Sequence, residues 1–165
     1  MKILKYEDLA LKLNNKYFAH SCINKANTFS KILEKIEPKP ISILEIGTYY
    51  GISTVILASV APVLTVDIKK YKEFDFILKT ISVPHPISQI LIKDITDLEL
   101  LLLDGFFDLV FIDAVHDYEH VKKDFTFCKK YGKILFHDAD FEGVNKFLKE
   151  IGAKILTDKF AYWEK

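Results

Sequence analysis

Five acidic residues end or closely follow short apolar runs of the chain, at intervals typical of successive strands. They are Glu45, Asp67, Asp94, Asp113 and Asp138. In an open α/β sheet the ligand crevice lies beyond the carboxyl ends of the strands, so all five would surround one crevice. A single aspartate at such a place is more often the N-cap of the following helix. Five together favour a binding site, because unpartnered acids are costly beside a covered sheet.

Two histidines adjoin these acids. His116 lies three residues after Asp113, and His137 immediately precedes Asp138. An imidazole titrates close to neutral pH, so it can remove a proton from a hydroxyl group. We expect His116 to be the first candidate for a general base and His137 the second, although either could instead cap a helix or bind a loop. The spacing of His116 and His120 would also suit a zinc pair, but no HExxH sequence accompanies it.

A glycine-rich turn follows the first apolar run. Residues 42–46 precede Gly47 and Gly51, and an apolar-periodic segment begins at Ile52. This pattern predicts a buried strand, a tight turn and a helix. Backbone N–H groups at such a turn can bind an anion. They would matter here because all 23 basic residues are lysine, and no arginine is available for bidentate binding of phosphate or carboxylate.

Asp67 ends the second predicted strand, 20 residues after Gly47. An acid at this place accepts hydrogen bonds from ribose hydroxyl groups in nucleotide-binding α/β folds. A dinucleotide needs a G-x-G-x-x-G turn, whose middle glycine lets the pyrophosphate approach the backbone. The bulky Tyr49 occupies that position here. The sequence therefore favours a nucleoside without phosphates, and a nicotinamide-dependent (NAD) oxidoreductase is the weaker interpretation.

The elements that must position these residues alternate between strand and helix. Predicted strands cover residues 42–46, 63–67, 89–93, 107–112, 133–136, 153–157 and 159–164. Predicted helices cover residues 5–14, 26–37, 51–60, 70–80, 96–103, 117–130 and 141–150, with a loop over residues 17–27 between the first two. This order predicts an α/β fold whose parallel sheet is covered on both faces. We expect a single domain over residues 1–165, with N-terminal helices in 1–38 and the core in 40–165.

Composition and charge limit the classes of partner. The 165 residues are half apolar and 28% charged, with zero net charge, which is ordinary for a soluble globular protein. Nothing in this balance indicates a nucleic acid or an anionic membrane as partner. No stretch approaches the roughly 20 apolar residues of a membrane span, and the N-terminal residues lack the apolar core of a signal peptide. We therefore expect a cytoplasmic protein.

The ordered set of strand-end motifs resembles the class I S-adenosylmethionine-dependent methyltransferases. Glu45-Ile46-Gly47-Thr48-x-x-Gly51 is similar to their first motif, Val66-Asp67-Ile68 to the second, and Lys93-Asp94-Ile95 to the segment that holds the adenine amino group. The resemblance implies a Rossmann-like three-layer sandwich with a mostly parallel seven-stranded sheet and an antiparallel C-terminal strand. It also implies S-adenosylmethionine as cofactor, bound by Glu45, Gly47, Thr48, Tyr50, Gly51, Asp67, Ile68, Asp94, Ile95 and Asp113.

A second stretch is similar to a narrower group, the small-molecule O-methyltransferases. Residues 111–120 read FIDAVHDYEH, similar to the FIDxxHxYE stretch of that group, and residues 132–139 read GKILFHDA, similar to its later HD stretch. The resemblance implies methylation of a hydroxyl group on a small molecule, such as a sugar or a secondary metabolite. In metal-dependent members, the acids matching Asp113 and Asp138 hold a divalent metal such as Mg²⁺. Their third ligand is usually an Asn or acid beside the second, where this chain has Ala139.

Two further points stay open at the level of sequence. The missing third metal ligand and the short chain would also suit a non-catalytic methyltransferase-like module that binds S-adenosylmethionine or a partner protein. The C-terminal aromatic residues Phe160, Tyr162 and Trp163 could form the hydrophobic edge of a homodimer, or they could complete the core. The rings of Tyr49, Tyr50 and Tyr118 could pack on a ligand, although aromatic residues near a turn more often pack against the protein alone.

Overall fold

The computed structural model describes residues 3, 4, 9, 23–101 and 106–165, with only the backbone of residues 23–27, 100 and 101. The strands are β1 (Ile43–Ile46), β2 (Val63–Asp67), β3 (Ile87–Leu91), β4 (Leu109–Ile112), β5 (Lys133–Phe136), β6 (Lys154–Ile155) and β7 (Ala161–Glu164). The helices are α1 (Ile23–Lys35), α2 (Ile52–Leu57), α3 (Lys72–Thr80), α4 (Asp97–Leu101), α5 (Tyr118–Cys128) and α6 (Glu142–Glu150), with a 3₁₀ turn at Lys129–Tyr131. Of the helix predicted at 5–14, the structure describes only Leu9, which is buried; the rest lies outside the described residues. So does the loop predicted at 17–27 up to residue 22, while its residues 23–27 belong to α1.

All seven strands form one sheet in the order β3-β2-β1-β4-β5-β7-β6. The first five strands run parallel, and β7 runs antiparallel to both β5 and β6. The predicted α/β fold with a mostly parallel sheet is therefore confirmed. Strand β1 has β2 on one side and β4 on the other, so the strand order reverses beside it, where ligands bind in open sheets of this kind.

Both faces of the sheet are covered, as the nearly continuous apolar strands predict. Successive strand residues belong to different core clusters because side chains alternate across a sheet. Ile43, Phe111 and Leu135 pack with α1, α2 and α3, whereas Leu44, Val110 and Phe136 pack with α4, α5 and α6. The result is the predicted three-layer sandwich, with a core on each face.

Strands β2 and β5 have the predicted bounds, and the bounds of the other five strands differ from the prediction by one or two residues. The neighbouring strand explains two of these differences. Strand β3 ends at Leu91 because its partner β2 ends at Asp67, which pairs with Leu91. Asp94 therefore lies three residues beyond the strand, in the turn that leads to α4. Strand β4 begins at Leu109 because that residue pairs with Ile43, the first residue of β1.

The C-terminal aromatic residues complete the core. Strand β7 lies between β5 and β6, so it is not an edge of the sheet. Phe160 is 1% exposed, and its ring stacks on that of Phe29 with the centroids 5.5 Å apart. Trp163 packs edge-on against Phe125. A homodimer stays a prediction. None of the helices in the described part of the chain is long and apolar enough to cross a membrane.

Candidate active site

The glycine turn, residues 47–51, brings the end of β1 close to the end of β4. Gly47 has a φ of 100°, and a Cβ atom there would lie 2.2 Å from the carbonyl oxygen of Asp113. Gly51 has a φ of 83° and precedes α2, where a Cβ atom would meet the ring of Phe74. Both positions therefore require glycine, for the left-handed backbone and for the close approach.

Asp67 organises this turn. Its Oδ2 accepts hydrogen bonds from the backbone N–H groups of Thr48 and Tyr49, over 3.0 and 2.8 Å, and its Oδ1 accepts one from the N–H of Lys69 over 3.2 Å. Two N–H groups that the sequence offered to an anion are thus bound by the chain's own carboxylate. A carboxylate has about four acceptor positions, so one remains for a ribose hydroxyl group.

Four residues of the predicted cofactor set, in the glycine turn or just before it, are not part of the cavity lining described below. Glu45 is fully buried and accepts hydrogen bonds of 2.5 Å from the hydroxyl groups of Ser53 and Thr54. Burial raises the pKa of Glu45 to about 7. Thr48 is buried and shares a hydrogen bond of 2.6 Å with the Thr65 hydroxyl group. With Tyr50, which packs on the core, and Gly51, these residues give the turn its shape, and their direct contact with a cofactor stays a prediction.

A cavity of about 580 Å³ lies above the carboxyl ends of the parallel strands, within the usual size of small-molecule sites. Nine of the predicted site residues line it: Gly47, Asp67, Ile68, Asp94, Ile95, Asp113, His116, His137 and Asp138. Its lining also includes side chains outside the predicted site: Tyr49, Tyr71, Lys123 and Asp124. Nothing in the spacing of Tyr71 or Lys123 distinguishes them from other residues of amphipathic helices.

Tyr49 and Tyr71 form an aromatic wall at the glycine turn. Tyr49 has a φ of 45°, which is uncommon for a bulky residue, and 46% of it is exposed. Its ring stacks on that of Tyr50 with centroids 3.8 Å apart and meets Tyr71 edge-on at 5.0 Å. Tyr49 therefore packs against the protein and also borders the cavity.

The His–Asp cluster (Asp113, His116, His137 and Asp138) lies at the ends of β4 and β5. His137 Nδ1 lies 2.7 Å from Asp113 Oδ1 and 3.2 Å from Asp138 Oδ2. His116 Nε2 lies 3.1 Å from Asp138 Oδ2 and 3.5 Å from Asp113 Oδ1. Neither contact of His116 has the geometry of a hydrogen bond, so this nitrogen is buried without a hydrogen-bond partner in the structure described.

Charge in the cluster is shared between acids and imidazoles. Burial alone would raise the pKa of Asp113, but its interactions with His116 and His137 outweigh burial and hold that pKa below the usual value. The Asp113 carboxylate in turn raises the pKa of His116, against the opposing effect of burial. The cluster therefore favours an ionised Asp113 beside an imidazole that accepts a proton more readily than usual.

The two histidines differ in access. His137 is 7% exposed and packs near the ring of Phe160, so it can orient Asp113 but is screened from solvent. The side chain of His116 is 34% exposed and lies at the cavity mouth against Phe141. Asp138 has a φ of 50°, a strained backbone of the kind that concentrates at functional sites. The side chain of His116 is thus the more accessible of the two, although its Nε2 is buried against the acids, and the order of the two candidate bases stays a prediction.

Asp113, His116 and Asp138 could together hold a metal ion. Their potential ligand atoms all lie within 4.8 Å of one another. A mixed set of carboxylate oxygens and one imidazole nitrogen suits a divalent transition metal, and a metal would satisfy the unpartnered Nε2 of His116. If a metal binds there, His116 would supply the third ligand that the sequence lacks at Ala139.

The predicted alternative of a zinc pair, His116 and His120, requires both on one helical face. His116 precedes α5, whereas His120 lies within the helix and hydrogen-bonds to Asp117, the N-cap. Both histidines border the cavity, and a zinc pair stays a prediction. In the structure as described, His116 is grouped with the two acids instead.

A family model described as a methyltransferase domain matches residues 44–139. The match runs from β1 to the residue after Asp138, so it includes the glycine turn and the whole His–Asp cluster. The chain belongs to this methyltransferase family. A comparison with curated protein sequences found no match.

Solved methyltransferase structures share the fold. The O-methyltransferase TomG from Streptomyces achromogenes, in complex with S-adenosylmethionine, is 20% identical, with 96% of this chain and 88% of that chain covered and a TM-score of 0.69. An O-methyltransferase from Bacillus cereus, in complex with S-adenosylhomocysteine, is 20% identical, with 97% and 90% covered and a TM-score of 0.65. MycE from the mycinamycin pathway, with Mg, S-adenosylhomocysteine and mycinamycin VI, is 16% identical, with 99% of this chain but 54% of that chain covered and a TM-score of 0.69. At these identities the likeness shows the fold.

Proposed function

We propose that this methyltransferase transfers a methyl group from S-adenosylmethionine to a hydroxyl group of a small molecule. The observation that carries the proposal is the position of His116. Its imidazole lies at the mouth of the cavity, between two carboxylates, in the same cavity that Gly47 and Asp67 border. A proton acceptor and a nucleoside-sized site are thus neighbours. The solved relatives that hold S-adenosylmethionine or S-adenosylhomocysteine support this choice of cofactor.

The cavity suits this cofactor in shape and charge. S-adenosylmethionine supplies a methyl group on a positively charged sulfur, which leaves as a neutral thioether when the acceptor oxygen attacks the methyl carbon. Five aspartates and two lysines are among the residues that line the cavity, so the lining favours a cation. Asp67 keeps one acceptor position for a ribose hydroxyl group, as its hydrogen bonds indicate.

His116 would take the proton of the acceptor hydroxyl group as the new O–C bond forms. Asp113 raises its pKa and would stabilise the imidazolium that results. His137 would hold Asp113 in place through their contact of 2.7 Å. General bases of this kind contribute roughly 10²- to 10⁴-fold to a rate.

A divalent metal is the alternative way to activate the acceptor. Asp113, His116 and Asp138 would hold it, and it would lower the pKa of a bound hydroxyl group. In that case His116 serves as a ligand rather than as the base. MycE, whose structure contains Mg, supports this alternative.

Calorimetric titration with S-adenosylmethionine and S-adenosylhomocysteine tests the cofactor, with NADH as the control. We expect both sulfur compounds to bind and NADH not to bind. Transfer is then followed by mass spectrometry across phenols, catechols and sugar hydroxyl groups, with Mg²⁺, with Mn²⁺ and with a chelator. Turnover that survives chelation assigns proton removal to His116 alone, and turnover that requires metal assigns it to the metal site. A folded protein that binds neither compound contradicts the proposal, and binding without transfer favours a non-catalytic module.

A further inference from the structure

Asp124 is a buried acid in the wall of the cavity, on the second turn of α5. It is 8% exposed and borders the same space as Asp67 and His116. No hydrogen bond reaches its carboxyl group from any residue that the structure describes, and the groups that act on it do so only through their charge. Its oxygens are not among the fully buried polar atoms that lack a partner, so the carboxyl group faces the open space of the cavity and is available to an occupant.

The other acids in this half of the cavity already have partners. Asp94 Oδ1 accepts hydrogen bonds from the N–H and hydroxyl groups of Thr96, over 3.0 and 2.8 Å, and its Oδ2 binds the Lys123 ammonium group. Asp67 is bound by the N–H groups of the glycine turn. Asp94 matches the segment that the family resemblance assigns to adenine, and three of its roughly four acceptor positions are already in use. Of the acids in this half of the cavity, Asp124 is the one whose carboxyl group accepts no hydrogen bond from the described residues.

The position of Asp124 indicates which part of a nucleoside it would meet. The ion pair between Lys123 and Asp94 joins α5 to the loop after β3, and the charge of Asp94 also acts on the Asp124 carboxyl group, so Asp124 lies near that loop. The His–Asp cluster lies at the ends of β4 and β5. In S-adenosylmethionine the base and the sulfur lie on opposite sides of the ribose. If the methyl group of the cofactor faces His116, its adenine base therefore faces α5 and the loop that follows β3.

We propose that the Asp124 carboxyl group binds the adenine base of the cofactor and so contributes to its recognition. This inference rests on the proposed function, because it requires S-adenosylmethionine or S-adenosylhomocysteine in the cavity. It adds to the site a residue on a helix rather than at a strand end. Asp124 becomes a specificity residue of the cofactor site, and Asp94 a residue that holds the loop in place.

The protonation of Asp124 suits this contact. Burial raises its pKa to about 7, assisted by the charges of Asp94 and Asp117 and opposed by those of His120 and Lys123. Cys128 lies on the same helix, and its own pKa is raised by burial and by the charge of Asp124. A protonated carboxyl group presents a donor and an acceptor side by side. The amino group of adenine donates a hydrogen bond and its neighbouring ring nitrogen accepts one, so the two pairs are complementary.

The experiment is calorimetric titration of S-adenosylhomocysteine and of adenosine into the wild type and Asp124→Leu. We expect the Kd of both ligands to rise by roughly ten- to a hundredfold, as for loss of a buried hydrogen-bonding group. The melting temperature without ligand should stay unchanged or rise, because leucine removes a buried acid without a partner. Glu119→Leu, which removes an exposed acid from the same helix, should leave both Kd values unchanged.

Asp124→Asn supplies a second test that does not depend on the leucine variant folding. The asparagine keeps a donor and an acceptor but does not titrate near pH 7. We expect Asp124→Asn to bind S-adenosylhomocysteine as tightly as the wild type does at pH 6. As the pH rises to 8, the wild type should lose affinity relative to this variant. Equal affinities of the wild type and Asp124→Leu, or a loss for S-adenosylhomocysteine without one for adenosine, would overturn the inference alone. A wild type that binds neither ligand would overturn the proposed function as well.

Discussion

The two sides of the cavity satisfy their polar groups in opposite ways. On the side of β1 and β2, Asp67 accepts three backbone hydrogen bonds and Glu45 accepts two from hydroxyl groups. On the side of β4 and β5, two acids and two imidazoles face one another, and His116 Nε2 has no hydrogen-bond partner in the structure described. We call the first side the framework side, because its acids are hydrogen-bonded within the protein. We call the second the reactive side, because one of its buried nitrogen atoms has no hydrogen-bond partner among the described residues.

This difference separates binding from chemistry. A framework whose polar groups are satisfied holds its shape without a ligand, as a site for the invariant part of a cofactor requires. The unpartnered Nε2 of His116, beside the strained backbone of Asp138, costs stability in the free protein. It forms a favourable interaction only when it binds a proton, a metal or a substrate. The variants below test whether the two sides can be impaired independently.

His116→Ala has the largest expected effect, and it falls on one side only. The rate of methyl transfer should drop by roughly 10²- to 10⁴-fold, because the variant loses either a general base or a metal ligand. The Kd of S-adenosylhomocysteine should change little, since the glycine turn and Asp67 remain. Steady-state kinetics and calorimetry measure the two quantities. His85→Ala is the matched control, because it alters a histidine before β3 at the opposite end of the sheet. If the rate of His116→Ala lies within about threefold of the wild-type rate, His116 has no part in the reaction.

Gly47→Ala should impair both sides together. Its Cβ atom would lie 2.2 Å from the carbonyl oxygen of Asp113, so the ends of β1 and β4 would have to separate. We expect the free energy of unfolding to fall by about 3 kcal/mol, because the added methyl group overpacks the site and alanine disfavours the left-handed backbone. Chemical denaturation measures this change. Gly152→Ala also has a positive φ but no atom within 4 Å of the added Cβ, so it isolates the backbone part of the cost.

The sequence predicts the framework side better than the reactive side. The order of strands and helices follows from apolar runs and turn residues, and the glycine turn follows from spacing, because these depend on neighbours in the chain. Lys123 and Asp124 reach the cavity from α5 and Tyr71 from the residue before α3, and the orientation of both helices depends on packing between distant elements. Asp94 was placed at a strand end, yet β3 stops at Leu91 because β2 offers no further partner. Spacing alone did not predict which nitrogen of His116 would face two carboxylates.

Asp67→Ala should weaken cofactor binding by roughly ten- to a hundredfold, because it removes the acceptor for the ribose and also the group that holds the glycine turn. The structure therefore also predicts a loss of stability, of about 1–2 kcal/mol, from the N–H groups of Thr48 and Tyr49. Asp67→Asn keeps an acceptor oxygen for those N–H groups and should retain most of the stability. Calorimetry and thermal unfolding separate the two effects. Unchanged affinity in Asp67→Ala would remove Asp67 from the ribose role.

Glu45→Gln has the smallest expected effect and tests whether the framework side responds to pH. The pKa of Glu45 is about 7 in the folded protein, above its usual value of 4.5, so the folded state binds this proton more tightly than the unfolded chain does. The free energy of unfolding of the wild type should therefore fall as the pH rises from about 4.5 to 7, by roughly 1 kcal/mol per pH unit from this group. Asp124 and His116, whose pKa values are also raised, act in the same direction and remain in the variant. Glu45→Gln should thus show a shallower fall than the wild type in denaturant unfolding from pH 5 to 8, while the exposed Glu34→Gln should follow the wild type. If the free energy of unfolding depends on pH equally in Glu45→Gln and the wild type, Glu45 is ionised beneath the turn. The framework side would then carry a buried charge, as the reactive side does.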